Sequence, residues 1–164
     1  MDSNTDFLDI TNHFLWSTKR LIDLISNMSE EQFNSKQPSN TRSIREIILH
    51  LVSLYTYFSS FADYKNIVEK SKQTNQEELL HLLRDLSKKV NEVFSSDKEK
   101  VIPVKTKTGI IKNVTGLSLL YMLSDHTAYH RGQIITKYSS ITGNESVDTD
   151  YAVFLQEDNP DLTL

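Results

Sequence analysis

The chain has 164 residues and carries 18 Lys and Arg against 22 Asp and Glu, a formal charge of −4. That length supports one domain with a sizeable core, and the mild acidity opposes any broad attraction to nucleic acid or an anionic membrane. The lack of cysteine excludes disulfides, thiolate metal sites and a cysteine nucleophile, while only four Gly and three Pro favour long helices over a many-stranded barrel.

In chain order, an apolar stripe through Phe7, Ile10, Phe14, Leu21, Ile25 and Met28, bridged by Thr18, predicts a helix over about 5–27. Ser29 and Gln32 have capping-box spacing and predict one short helical turn, followed by a connector at Gln37-Pro38-Ser39-Asn40. A second box, Ser43 with Glu46, opens a helix whose stripe runs Ile44, Ile47, Ile48, Leu51, Leu54, Tyr55 and Phe58, ending near Phe61 or Ala62. The polar stretch from Asp63 to Asn75 has too weak a period to assign. A third box, Thr74 with Glu77, precedes Leu79, Leu82, Leu83, Leu86, Val90 and Val93, a helix fading into Ser95-Ser96-Asp97.

Two β-favouring runs follow, Val101–Val104 and Ile110-Ile111, and predict a hairpin with Gly109 at positive φ and Pro103 on an edge strand. The last long helix caps at Thr115, reaches about Ser140 and stops at Gly143-Asn144; its stripe reads Leu119, Leu123, His126, His130, Ile134, Tyr138 and Ile141. The expected fold class is all-α, a four-helix bundle with a short hairpin before its last long helix. It forms one domain over 1–164, with its core at about 5–155 and a polar tail at 156–164. No apolar run approaches the ~20 residues that span a bilayer, and Met1 to Asp6 lack the basic segment of a signal peptide. A cytoplasmic protein is expected, with neither membrane nor nucleic acid as a partner.

His126 and His130 stand four apart on one helical face, with Cβ atoms ~5–6 Å from each other, so they can share one metal ion. The spacing alone is common by chance. Their position inside an apolar stripe carries more, because buried imidazoles without partners cost ~1–3 kcal/mol each. A shared ion meets that need, and so do neighbouring carbonyls or hydroxyls; both readings stay open here. His50, at the edge of the second long helix's apolar face, is a third candidate ligand, and three protein ligands leave positions for water or substrate. His81 lies among Glu77, Glu78, Arg84 and Asp85 on a solvated face, and His13 is a weaker candidate beside Asp9, Ile10, Trp16 and Ser17. Thr127 follows His126 where a zinc protease helix has Glu.

Gln133, three residues past His130, can bond a ligand of the ion or cap a carbonyl. Glu46 can accept from an imidazole, although its capping box already accounts for it. Arg131, off the buried stripe, suggests a structural ion pair rather than catalysis, Asp125 a solvent-facing carboxylate before one that orients a ligand from a neighbouring helix, and Gly132 a close approach of another helix. Tyr55, Tyr57 and Tyr129 read as core aromatics that could also line a cavity. No carboxylate is placed to act as a general base, so catalytic residues are left unassigned.

The segment Asp125-His126-Thr127-Ala128-Tyr129-His130-Arg131-Gly132-Gln133-Ile134 resembles the H-x-x-x-H-R-G-Q signature of the DinB-like (DinB/YfiT) metalloenzymes, and Ser43 to Leu51 resembles that family's second-helix motif. The Gly109 turn, Val114-Thr115-Gly116 and Asp148-Thr149-Asp150-Tyr151 fit the same layout, so the resemblance spans about residues 5–155. It implies an up-down-down-up bundle, frequently a homodimer, with His50, His126 and His130 holding a divalent ion such as zinc or nickel. Relatives include low-molecular-weight-thiol S-transferases, a mycothiol-dependent isomerase and hydrolases. The resemblance therefore implies a small-molecule substrate and a metal-activated thiol or water, with a thiol-dependent transferase favoured and a hydrolase next. The alternative is a non-catalytic metal-binding or stress-related bundle.

Overall fold

The computed structural model describes residues 3–37, 41–59, 64–96, 99, 101–105, 108–109, 111–158 and 160–164. The order is α1 (Ser3–Ser26), α2 (Glu30–Asn34), α3 (Ile44–Ser59), α4 (Tyr64–Ser71), α5 (Gln76–Ser96), β1 (Val101–Lys105), β2 (Ile111–Thr115), α6 (Gly116–Thr142) and α7 (Tyr151–Phe154). The fold is thus mostly helical with one antiparallel two-stranded hairpin. Among the described residues no helix is long and apolar enough to cross a membrane. Residues 38–40 of the expected connector, the expected helix end at Phe61 or Ala62, Asp97 and Ile110 lie outside the described residues, as does the side chain of Phe7.

Helix starts follow from local hydrogen bonding. Ser29 and Gln32 bond reciprocally through side chain and backbone, and so do Ser43 and Glu46. The third box sits one residue later than the sequence spacing suggested. Asn75 pairs with Glu78, whereas the Thr74 hydroxyl donates to the Ser71 carbonyl at 2.8 Å and closes α4. The segment left unassigned forms α4, held to α3 by Tyr64 Oη and Ser53 Oγ at 2.9 Å. Thr115 caps α6, and Gly143, at φ 72°, ends it in the left-handed region that favours glycine.

The long helices α1, α3, α5 and α6 share one core built from Phe14, Ile25, Ile48, Leu51, Tyr55, Leu83, Val90, Leu119, Leu123 and Ile134, all fully or nearly fully buried. In the hairpin Pro103 lies opposite Asn113, tolerable because both strands of a two-stranded ribbon are edges. Strand β2 continues to Thr115, further than its apolar residues suggested, because backbone pairing carries Lys112 and Asn113 with exposed side chains. The C-terminal residues are tied down: Trp16 Nε1 donates to Glu157 at 2.9 Å, Arg20 bonds the same carboxylate, and Tyr151 and Phe154 pack their rings against His13.

Candidate metal centre

The buried stripe of α3 places His50 at its edge, half-buried, while α6 presents half-buried His126 and buried His130 one turn apart. The three imidazoles meet. His126 Nε2 lies 2.9 Å from His50 Nε2 and 3.1 Å from His130 Nε2, and one ligand nitrogen from each ring falls within 4.8 Å of the others. Two nitrogens bound ~2.0–2.1 Å from one ion at angles between octahedral and tetrahedral lie roughly 2.9–3.4 Å apart. The two separations to His126 fit a shared ion, and the third pair lies within 4.8 Å.

Hydrogen-bond accounting supports the same arrangement. Gln133 Oε1 accepts from His130 Nδ1 at 2.9 Å, so a neutral His130 turns a bare Nε2 lone pair towards its neighbours. His126 Nε2 has either one proton or one lone pair, and cannot make two linear bonds to His50 and His130 together. An ion accepting all three lone pairs removes that conflict. Burial, then the neighbouring His130 and His126 and the charge of Arg42, lowers the His50 pKa to about 4. Burial and His130 also lower that of His126, against the opposing pull of Asp125. Near neutrality these two rings are unprotonated, the state a metal ligand requires.

Beside His130 opens a cleft of about 780 Å³ that also takes in Arg42, Ile47, Tyr129, Gln133 and Lys137. The chain matches the DinB family over residues 1–161. It belongs to that family. Comparison with curated proteins and with solved structures gave no match.

The other candidates in this DinB family protein separate clearly. Gln133 reaches His130 directly, whereas Glu46 bonds the backbone of Ser43 and the amine of Lys36, at 2.8 Å each. His81 is exposed, and His13 meets the Thr149 carbonyl at 3.0 Å inside the aromatic cluster with Trp16 and Phe154, so neither joins the three. Asp125 is exposed. Gly132 reverses expectation: a Cβ built there meets nothing within 4 Å, so no helix among the described residues approaches it. Tyr55 is buried with its hydroxyl 2.9 Å from Thr127 Oγ1, and burial pushes its pKa up to about 12. Tyr129 is exposed at the rim of the cleft.

Arg131 differs most from its reading as an ion-paired residue off the stripe. It is buried, in no ion pair among the described residues, and its Nε has no hydrogen-bond partner there. The available signal was its spacing: Leu120, Thr127 and Arg131 follow one helical face, all buried, but the two polar residues hid that face from an apolar count. Arg42 and Lys137, which line the cleft, carry no signal in the sequence for a different reason. They come together only through the fold, as the Lys137–Thr41 bond across 96 positions illustrates.

Proposed function

We propose that this DinB family protein is a metal-dependent enzyme in which His50, His126 and His130 hold one divalent ion, zinc or nickel. The observation that carries the reading is the convergence of three imidazole nitrogens beside an open cleft. Such an ion supplies Lewis acidity, drawing the pKa of a bound water or small-molecule thiol towards neutrality. Gln133 holds His130 in the tautomer that presents Nε2. Burial keeps His50 and His126 unprotonated, and Ile47 and Tyr129 give the cleft apolar walls on which a small organic substrate can rest. The chain lacks cysteine, so a thiolate must arrive with a cosubstrate. Thiol-dependent S-transfer is the reaction we favour, with hydrolysis next.

The same proposal takes the fold as one domain, a four-helix bundle running up-down-down-up. Arg45 near the start of α3 bonds the carbonyls of Lys72 and Thr74 just before α5, and Phe58 meets Phe94 near the far ends, which supports parallel α3 and α5. Gln76 at the start of α5 bonds Ile25 at the end of α1, and Lys137 late in α6 bonds Thr41 just before α3; both contacts support antiparallel neighbours. A homodimer completes the proposal and is tested by sedimentation.

Elemental analysis after incubation with zinc or nickel tests the centre. We expect one ion per chain in the wild type and none in His126→Ala or His50→Ala, with helical circular dichroism retained in all three. A wild-type protein without transition metal after that treatment overturns the reading.

A further inference from the structure

We propose that the substrate or cosubstrate of this centre carries an oxyanion, a carboxylate or phosphate, which Arg42 and Lys137 bind at the end of the cleft away from His130. The inference rests on the metal-dependent reading above and narrows it to acidic small molecules. Lys137 is buried, 7% exposed, yet among the described residues its ammonium is bonded only to neutral oxygens, the Gln37 carbonyl at 2.8 Å and Thr41 Oγ1 at 2.6 Å. Two of its three N–H donors are thereby used, and one is left for a ligand.

Arg42 lines the same cleft, and its charge is felt at His50. Among the described residues neither cation has a carboxylate at ion-pair distance. The acidic group whose charge reaches both is Glu46, and it is bonded to Lys36 at 2.8 Å. Three cations therefore gather round one carboxylate in a chain whose net charge is −4. Burial of Lys137 lowers its pKa despite the Glu46 charge, as befits a cation short of a counter-ion. An arriving oxyanion supplies that counter-charge, and the planar guanidinium of Arg42 suits two parallel bonds to it.

Geometry also bounds the ligand's length. Lys137 lies seven residues, two helical turns, beyond His130, which is about 10 Å along the axis. That rise puts the oxyanion and the group that meets the ion on the order of 10 Å apart, the span of roughly three extended residues. Thr136 and the bare backbone of Gly132 border the path between them.

The test uses cobalt-loaded full-length protein and three probe series of increasing chain length: ω-mercaptoalkanoates, ω-mercaptoalkyl phosphonates and the matching uncharged mercaptoalkanols. Binding is read from the cobalt–thiolate absorption, with elemental analysis confirming the cobalt content. We expect the acids of suitable length to bind at least tenfold more tightly than the alcohols, and the better of the two acids identifies carboxylate or phosphate. Arg42→Gln should cut that preference below threefold. Lys137→Met should do the same, but because Lys137 also anchors Gln37 and Thr41, the exposed Arg42 carries the test independently. Equal binding of acids and alcohols overturns the oxyanion site while a thiolate band with both preserves the metal centre. A preference that survives in both variants overturns the assignment to these two residues. Failure to take up cobalt, zinc or nickel overturns the metal reading, and the present inference with it.

Discussion

Replacing Gln133 by Leu tests how the centre is held in shape. Leu keeps most of the volume and removes the one acceptor of His130 Nδ1. His130 is only 4% exposed, so water has little access to the orphaned N–H, and leaving a buried donor unmade costs ~1–3 kcal/mol. A second route gives a similar figure, since loss of a group that orients a ligand imidazole typically costs about 10–100-fold in metal affinity. At about 1.4 kcal/mol per tenfold, that is roughly 1.4–2.8 kcal/mol. We therefore expect Gln133→Leu to bind zinc about 10–100-fold more weakly, measured by competition with a chromophoric chelator near neutral pH. Gln133→Glu should move affinity the other way, because a carboxylate acceptor makes the imidazole a stronger donor to the ion. A Leu variant that binds zinc within twofold of wild type would refute the argument, because the Nδ1 bond would then have no bearing on Nε2.

Acid should weaken the metal-free fold through His50, whose folded pKa of about 4 lies below the unfolded value near 6.5. The unfolded chain binds the extra proton between those values, so stability is full above about 6.5 and falls as pH drops towards 4. Urea melts of chelator-treated protein should show this loss, and His50→Asn should show a shallower one; coincident slopes contradict the assignment. Gly132→Ala is expected to stabilise by ~0.5–1 kcal/mol, because the new Cβ meets open space and helical Gly is costly. A lower melting temperature for that variant would show that something does approach the site. Chelation alone should leave the helical spectrum intact at room temperature, with an ion at 100 times its dissociation constant adding about 2.7 kcal/mol. For a domain of this length that corresponds to roughly 5–10 °C in melting temperature.

What was legible in the sequence was whatever local periodicity and local hydrogen bonding decide. The i, i+4 pair His126 and His130 shows as an interruption of an apolar stripe, and Ser43 with Glu46 fixes where α3 starts and hence the helical phase of His50. The third box slipped by one residue because Thr74 and Asn75 are both competent caps, and only the end of α4 commits Thr74 elsewhere. The α4 segment itself was unreadable since half-buried Ile67 and Val68 are too few to set a period. Gly132 was misread because a small residue in mid-helix fits both a crowded and an open position, a choice only its surroundings make.

On the proposed reading two different demands meet at this centre, and they separate a structural ion from a working one. An apolar core that runs through α1, α3, α5 and α6 gives the fold its own source of stability. In small domains that need an ion to fold, by contrast, the coordination shell replaces a core. Here His130 borders the cleft, His50 and His126 beside it are half-buried, and a buried Lys137 lies two turns along α6. Clustering polar groups at the edge of a core that could have been apolar lowers stability, as does a charged Lys137 bonded only to neutral oxygens. Such local costs are what binding sites impose on a fold. Collapse of the helical spectrum on chelation would reverse this assignment, because the ion would then be holding together the very elements that position its ligands.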